Sequence, residues 1–397
     1  MPVGARLKRG ALKLEVYNNM NKKILILGAG EMQIPVIKKA KSMGLYTIVA
    51  DMSADAPGMK IADAPVVIST MDKEGILACC KDNKVAGILT TSDAPVNVIS
   101  YVGETLGLPS MSMEVANICT NKYLQRAKFA ENGINVPFFK LCDKDTDLSE
   151  LKDFPYIVKP IDSSASRGVK KVINYTELTA AVAEAIKYSR SQKVIIESFI
   201  IGKEYSVETY TQNKKTTIIT ITEKLCIGED KGFFVEDTHI EPARISDTDW
   251  IAIKTEVTKA IAAIGIDNCP THTEVKLNDK GVFIIEIACR LGGDYITSDL
   301  VPLSTGVDML GNLIKIALGE QIDVKSKYNK CSAVQFLNPN NYERCKAFIE
   351  SGDLHIKRYE VKPFKNKQVE NSLDRLGFII IQADNIIEIE EIISKIK

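Results

Sequence analysis

The sequence predicts an α/β and α+β multidomain protein: a parallel α/β domain first, a two-part mixed module next, and a small β-rich region at the C-terminus. Three observations carry that expectation. After a basic leader, the chain opens with an apolar run, a glycine turn, a helical stretch and a second apolar run. Further on, a hydroxyl-rich, glycine-ended loop joins two strands. Thr271 to Gly293 then reads as a hairpin that sets two acids face to face. At 397 residues the chain exceeds one ordinary core, so two or three domains are expected.

The totals narrow the function classes. Lys+Arg and Asp+Glu both number 51, for a net charge of zero. That argues against nucleic acid or another polyanion held by bulk charge. No apolar run reaches the ~20 residues of a membrane span. Nine cysteines lie scattered without metal-type spacing. An odd count without a secretory signal points to reduced thiols and a cytoplasmic protein. Three histidines leave little room for a His-rich metal site. Residues 1–20 lack the long apolar core of a signal peptide and read as an upstream extension or as residues added to the natural chain.

The elements follow in order. Lys22–Leu27 is a strand ending in Gly28-Ala29-Gly30, Met32–Met43 a helix closing at Gly44, and Tyr46–Ala50 a strand ending at Asp51. The turn resembles a dinucleotide fingerprint, but Gln33 holds its third glycine position. Further strands at Ala64–Ser69 and Ala86–Thr90 and helices near Lys73–Asn83 and Pro95–Leu106 complete a parallel domain. Thr91, Ser92 and Asp93 at a strand end are either ligand contacts or helix caps. Thr120 or Asn121 caps a helix with Lys122 in its first turn, where a cation is electrostatically unfavourable. Lys122 is therefore kept for an anionic ligand or is simply solvated.

Lys159 interrupts the apolar strand Pro155–Pro160 and needs an anionic partner. The loop Asp162-Ser163-Ser164-Ala165-Ser166-Arg167-Gly168 follows. Such a loop can wrap phosphates with backbone N–H groups and hydroxyls, or be a plain flexible hairpin. Glu197-Ser198-Phe199-Ile200 reads either as a linker whose free backbone groups can pair with an adenine edge, with Glu204 accepting from ribose hydroxyls, or as part of an ordinary strand–turn–strand. In the hairpin, strands Thr273–Leu277 and Val282–Ile287 flank a three-residue loop, Asp279 to Gly281. That count sets Glu274 opposite Glu286, where like charges ~5 Å apart are destabilising. The pair calls for a cation, and hard oxygen ligands suit Mg²⁺ bound with phosphate. If extension persists, Arg290 lies on the same side as Glu286. The alternative is an edge hairpin with solvated acids.

In this order the residues resemble the ATP-grasp superfamily over roughly Lys22 to Gly319. The likeness is greatest to carboxylate–amine ligases that make dipeptides and related amides, and extends to biotin-carboxylase-like enzymes. The resemblance implies an extension at 1–20, an α/β pre-domain at 21–115, an ATP-grasp module at 116–330 with a lid at about 155–200, and a small C-terminal domain at 331–397. It implies ATP and Mg²⁺, with Mn²⁺ as a substitute, and an acyl-phosphate route to an amide. Lys122 and Lys159 would contact phosphates. Ser163, Ser164, Ser166, Arg167 and Gly168 would form the lid. Glu197, Ser198, Phe199 and Ile200 would hold adenine, and Glu204 the ribose. Glu274 and Glu286 would carry the metal and Arg290 would steady the acyl phosphate. Ala288 stands where many members have a metal-ligating Asn. His239, His272, Gly292, Gly293 and Asp294 are substrate candidates. The partners implied are a small carboxylic acid and an amine, such as amino acids, and a homodimer fits the tail. A carboxylase or thioester-forming member is the alternative within the superfamily. An NAD-dependent oxidoreductase is the alternative from another class, and a non-catalytic nucleotide-binding partner a further one.

Overall fold

The computed structural model of the protein describes residues 22–164, 166–229 and 234–397. The leader 1–20 and Ala165 of the lid loop lie outside them. The described residues build three sheets. The first holds β1 (Lys23–Leu27), β2 (Tyr46–Asp51), β3 (Ala64–Val67) and β4 (Gly87–Thr90) in the order β3-β2-β1-β4, all parallel. Ile24, Leu25, Ile26 and Leu27 are all buried, as expected of a parallel strand covered on both faces. The first helix is shorter than predicted: Glu31–Gln33 forms a 3₁₀ turn and the α-helix runs Ile34–Ser42.

The second sheet is antiparallel: β5 (Phe139–Cys142), β6 (Tyr156–Pro160), β7 (Lys170–Val172) and β8 (Val194–Ser198), in the order β5-β8-β6-β7. Helix Tyr175–Tyr188 packs against it, burying Leu178, Ala181, Val182 and Ala185 at helical spacing. The hydroxyl-rich loop connects β6 to β7.

The third sheet has eight strands: β9 (Lys203–Gln212), β10 (Lys215–Ile227), β11 (Val235–Glu241), β12 (Cys269–Asn278), β13 (Gly281–Ala288), β14 (Cys331–Phe336), β15 (Ile356–Val361) and β16 (Gly377–Ala383). Their order is β13-β12-β9-β10-β11-β14-β16-β15. The three C-terminal strands continue this sheet through the β11–β14 pairing. Asn385 caps the last helix, Ile386–Ile396, which buries Ile389, Ile392, Ile393 and Ile396.

The hairpin β12–β13 pairs Glu274 with Glu286 as expected, by a different route. Asn278 faces Gly281, so the loop is two residues rather than three. That register alone would set Glu274 opposite Ile285. A bulge after Glu274 skips Ile285 and turns the two acids toward each other. The cysteines also hold a surprise. All nine are free thiols. Cys119, Cys269 and Cys289 meet in one core cluster, with Cys289 between the other two. Among the described residues no helix is long and apolar enough to cross a membrane.

Candidate active site

A cavity opens where the second sheet and its serine-rich β6–β7 loop face the third. Twelve of the residues picked from the sequence line it: Lys122, Lys159, Ser163, Ser164, Ser166, Glu197, Ser198, Phe199, Ile200, Glu204, Glu274 and Glu286. Lys122 reaches it from the first turn of helix Lys122–Glu131, where Asn121 is the cap and accepts from Tyr123 and Leu124 N–H. Its ammonium donates to the carbonyl of Ser163 and to Glu286 Oε1, each at 2.9 Å. One side chain thus ties the lid loop to the hairpin.

The facing acids do not wait for a metal to be neutralised. Glu286 has Lys122 beside it, and Glu274 accepts from Lys224 at 2.7 Å. Lys224, on β10, is a hub: Glu204 lies 3.0 Å away and Glu236 3.5 Å. Lys224 holds the Glu274 carboxyl well below its usual range. Sequence reasoning missed Lys224, which alternates in phase with Thr220 and Thr222 in the run Ile219–Ile227, as a solvated lysine would. Glu274 and Glu286 keep 27% and 29% side-chain exposure toward the cavity. Among the described residues no three His, Cys, Asp or Glu side chains are grouped to hold a metal by themselves. Two opposed carboxylates on a cavity wall fit Mg²⁺, which takes one or two protein carboxylates and draws its other oxygens from phosphate and water.

Glu197 borders the cavity, yet its carboxyl is almost closed off, with 2% side-chain exposure. It accepts from Arg126 on one oxygen and from Lys159, at 2.8 Å, on the other. Arg126 also donates to the carbonyl of Ile285 at 2.6 Å. Burial would raise the Glu197 carboxyl, but Arg126 and Lys159 outweigh it and hold it down at about 2. Arg126 carried no sequence signal: it becomes significant only when helix Lys122–Glu131 meets β8. The linker after Glu197 is less free than expected, since Ser198 N–H donates to Phe138 and Phe199 N–H to Pro155. Two ammoniums approach the Phe199 ring, Lys171 at 4.1 Å and Lys276 at 4.8 Å from its centroid.

Other candidates lie elsewhere. Arg290 grips Asp93 at 2.7 and 3.1 Å and lines neither cavity. Asp93 borders an adjoining cavity together with Arg167, Lys122, Ser163, Ser164 and Glu286. The helix-cap reading of Ser92 and Asp93 fails, because helix Val96–Leu106 has no side-chain cap. Gly168 serves a turn: its φ is +72°, and a Cβ there would meet Tyr188 at 2.9 Å. His272 is buried and pairs with Glu208 at 2.5 Å. Burial works against its charge, but Glu208 pushes it up to about 9. A Cβ on Gly292 would come within 2.8 Å of His272 Nδ1, so that glycine answers to packing. Gly293 has open space around it. His239 is buried against Phe336 and pushed down to about 3 by burial. Asp294 is held by Arg375 at 2.8 Å, a contact from the C-terminal region that sequence reading did not foresee.

The dinucleotide-like turn is filled from within. Asp51 accepts from Ala29 and Ser53 N–H, and Gln33 reaches across to Thr91 and Ser92.

Residues 152–299 match the ATP-grasp domain family, and residues 24–106 the PylC-like N-terminal domain. A formate-dependent phosphoribosylglycinamide formyltransferase of Prochlorococcus marinus (strain NATL1A) is 30% identical over 295 residues, 72% of this chain and 71% of that protein. An uncharacterized protein, y4rH, of Sinorhizobium fredii is 24% identical over 336 residues, 83% of this chain and 68% of that one. The crystal structure of L-amino acid ligase from Bacillus licheniformis superimposes with a TM-score of 0.80 at 23% identity, covering 95% of this chain and 98% of that chain. With the paired-acid hairpin, the lysines and the serine-rich loop on one cavity, these matches lead to one conclusion: the chain belongs to the ATP-grasp family.

Proposed function

We propose that the protein is an ATP-dependent carboxylate–amine ligase that forms an amide through an acyl phosphate. The observation that carries this reading is the single cavity shared by Glu274, Glu286, Lys122, Lys159 and the serine-rich lid loop. Lys122 and Lys159 would neutralise nucleotide phosphates, and Ser163, Ser164 and Ser166 would close over them. Glu204, oriented by Lys224, would accept from the ribose hydroxyls. Glu274 and Glu286 would hold Mg²⁺, which when bound would offset phosphate charge during transfer.

The acid's carboxylate oxygen attacks the γ-phosphorus and ADP leaves. The amine then attacks the acyl carbon, gives up a proton, and inorganic phosphate departs. This chain's work is positional and electrostatic. Lys122 bridges lid and hairpin, so lid closure and phosphate neutralisation are one event. A closed lid excludes the water that would hydrolyse the intermediate. Arg290 reaches the reaction through Asp93, which it orients at the border of the adjoining cavity. Free, mostly buried thiols accord with a cytoplasmic setting.

The relatives' names point to two substrate sets, both joining a carboxylic acid to an amine. A screen of amino-acid pairs, with formate plus phosphoribosylglycinamide as a separate arm, is scored by phosphate release and product mass. Release that needs both an acid and an amine supports the proposal. Release on bicarbonate alone or on a thiol selects the carboxylase or thioester alternative instead.

A further inference from the structure

Three of the nine thiols meet at the root of the acid hairpin. Cys119 ends helix Met113–Cys119, Cys269 opens β12 and Cys289 follows β13. All three belong to one core cluster, and the Cys119 and Cys269 thiols donate to the Cys289 sulfur. Gln125 docks the helix end on the strand. Its amide donates to the carbonyls of Cys119 and Ile287 at 3.0 and 3.1 Å and accepts from Ile287 N–H at 2.9 Å. Cys119 also lines the adjoining cavity of about 240 Å³, roomy for a small oxidant. The strand register separates the candidates for a cross-link. His272 lies opposite Ala288, so continuing the ladder sets Thr271 opposite Cys289 and leaves Cys269 a diagonal neighbour. Diagonal Cβ atoms lie about 7 Å apart, whereas a disulfide needs about 3.5–4.5 Å. Cys119 comes from a separate element and escapes that constraint.

We propose that Cys119 and Cys289 form a peroxide-sensitive pair whose disulfide weakens nucleotide binding in the neighbouring cavity. The weakening rests on the proposed nucleotide site; the disulfide does not. The chemistry balances with one hydrogen peroxide. The Cys119 sulfur attacks a peroxide oxygen, the O–O bond breaks, and the departing hydroxyl takes the thiol proton and leaves as water. Cys119 is then a sulfenic acid. The Cys289 sulfur attacks the Cys119 sulfur, the S–O bond breaks, and the hydroxyl leaves as a second water with the proton that Cys289 gives up. The two thiols lose the electron pair that the peroxide gains. Accepting both hydrogen bonds pushes the Cys289 thiol down, which favours it as the second attacker. The same bond and burial push Cys119 up, so the first step is slow and the pair answers sustained oxidant.

Cys119 stands just before Lys122 in the chain, and Cys289 lies between Glu286 and Arg290. To bond, the sulfurs close from hydrogen-bonding distance to about 2.0 Å. The helix start that carries Lys122 then moves against the strand that carries Glu286. Lys122 is drawn out of its place between Glu286 and the Ser163 carbonyl. A shift of about 1 Å in a positioned group costs on the order of 10-fold to 10²-fold.

Peptide mapping by mass spectrometry tests this on the full chain, treated with hydrogen peroxide and then capped with a thiol-alkylating reagent. The expected result is a linked Cys119–Cys289 peptide that dithiothreitol separates. In parallel, ADP titration in Mg²⁺ gives a dissociation constant raised about 10-fold in the oxidised protein and restored by dithiothreitol. Cys289→Ala abolishes the link and keeps its ADP affinity through the same peroxide treatment. Cys269→Ala keeps both the link and the loss of affinity. Thermal melting confirms that each variant is folded. Reduced wild-type protein that binds no ADP overturns the weakening together with the nucleotide site, while the peptide map alone decides the disulfide. A cluster left unlinked, a Cys269–Cys289 link, or a Cys119–Cys289 link that leaves ADP affinity unchanged overturns the proposal.

Discussion

Two carboxylate groups in this molecule carry similar partners and opposite prospects. Glu197 is sealed, with 2% side-chain exposure and a cation on each oxygen. Glu274 and Glu286 are also paired with lysines, yet each remains more than a quarter exposed to the cavity. The sealed group has nothing left to bind, so its charge serves the architecture. On the proposed reading the open pair exchanges a lysine for an incoming cation, and its charge serves a ligand. The two sites share the same chemistry and differ in access, and the proposed reading divides their roles on that difference.

The largest effect should come from breaking the sealed side. Glu197→Gln leaves Arg126 and Lys159 buried without their counter-charge, a loss of about 3–5 kcal/mol. Urea unfolding measures it. The carboxyl's folded value, about 2, lies below its unfolded one. Its contribution is therefore present above the unfolded value near 4.5 and is lost as pH falls toward 2. The variant should lack that acid-side decline, and a wild-type-like urea midpoint would unseat the architectural role.

Breaking the open side should do the reverse. Glu286→Gln should cut ADP formation on the order of 10²–10³-fold while leaving the unfolding midpoint nearly unchanged. Normal turnover in that variant would remove the metal assignment. Next in size is Asp93→Asn, which loosens a two-point grip on Arg290 across two parts of the chain. A misplaced positioning group costs on the order of 10-fold to 10²-fold. If the role is positional, kcat falls while nucleotide binding, followed by ADP titration, stays unchanged.

How far the sequence could be read follows the same division. Residues that present a chemical oddity were visible: Lys159 inside an apolar strand, two acids opposed in a hairpin, a serine-rich loop between strands. Partners that matter only through long-range packing were not. Arg126 reaches Glu197 from 71 positions away, and Arg375 reaches Asp294 from 81. The addition of β14 to β11 crosses a similar span. Bulges are equally silent in sequence. The loop of the acid hairpin was read one residue too long, and the bulge at Ile285 offset that error. Lys224 was hidden for another reason: it alternates in phase with Thr220 and Thr222, the pattern of a solvated strand face, and its three acidic neighbours come from other strands.

The smallest predicted effect probes the border between the two kinds of site. His272 lies between sealed Glu208, at 2.5 Å, and open Glu274, at 3.8 Å. Its folded value of about 9 lies above the ordinary 6.5. That contribution is therefore fully present below 6.5 and fades as pH rises toward 9. Glu208→Gln removes the main source of the elevation, so the stability lost on raising pH over this window should shrink by about 1–2 kcal/mol. Chemical denaturation at pH 6 and pH 9 on both proteins reads the difference. If the slope belongs to Glu274 instead, Glu208→Gln will leave it in place while Glu274→Gln removes it, which would move His272 from the sealed side of the comparison to the open one.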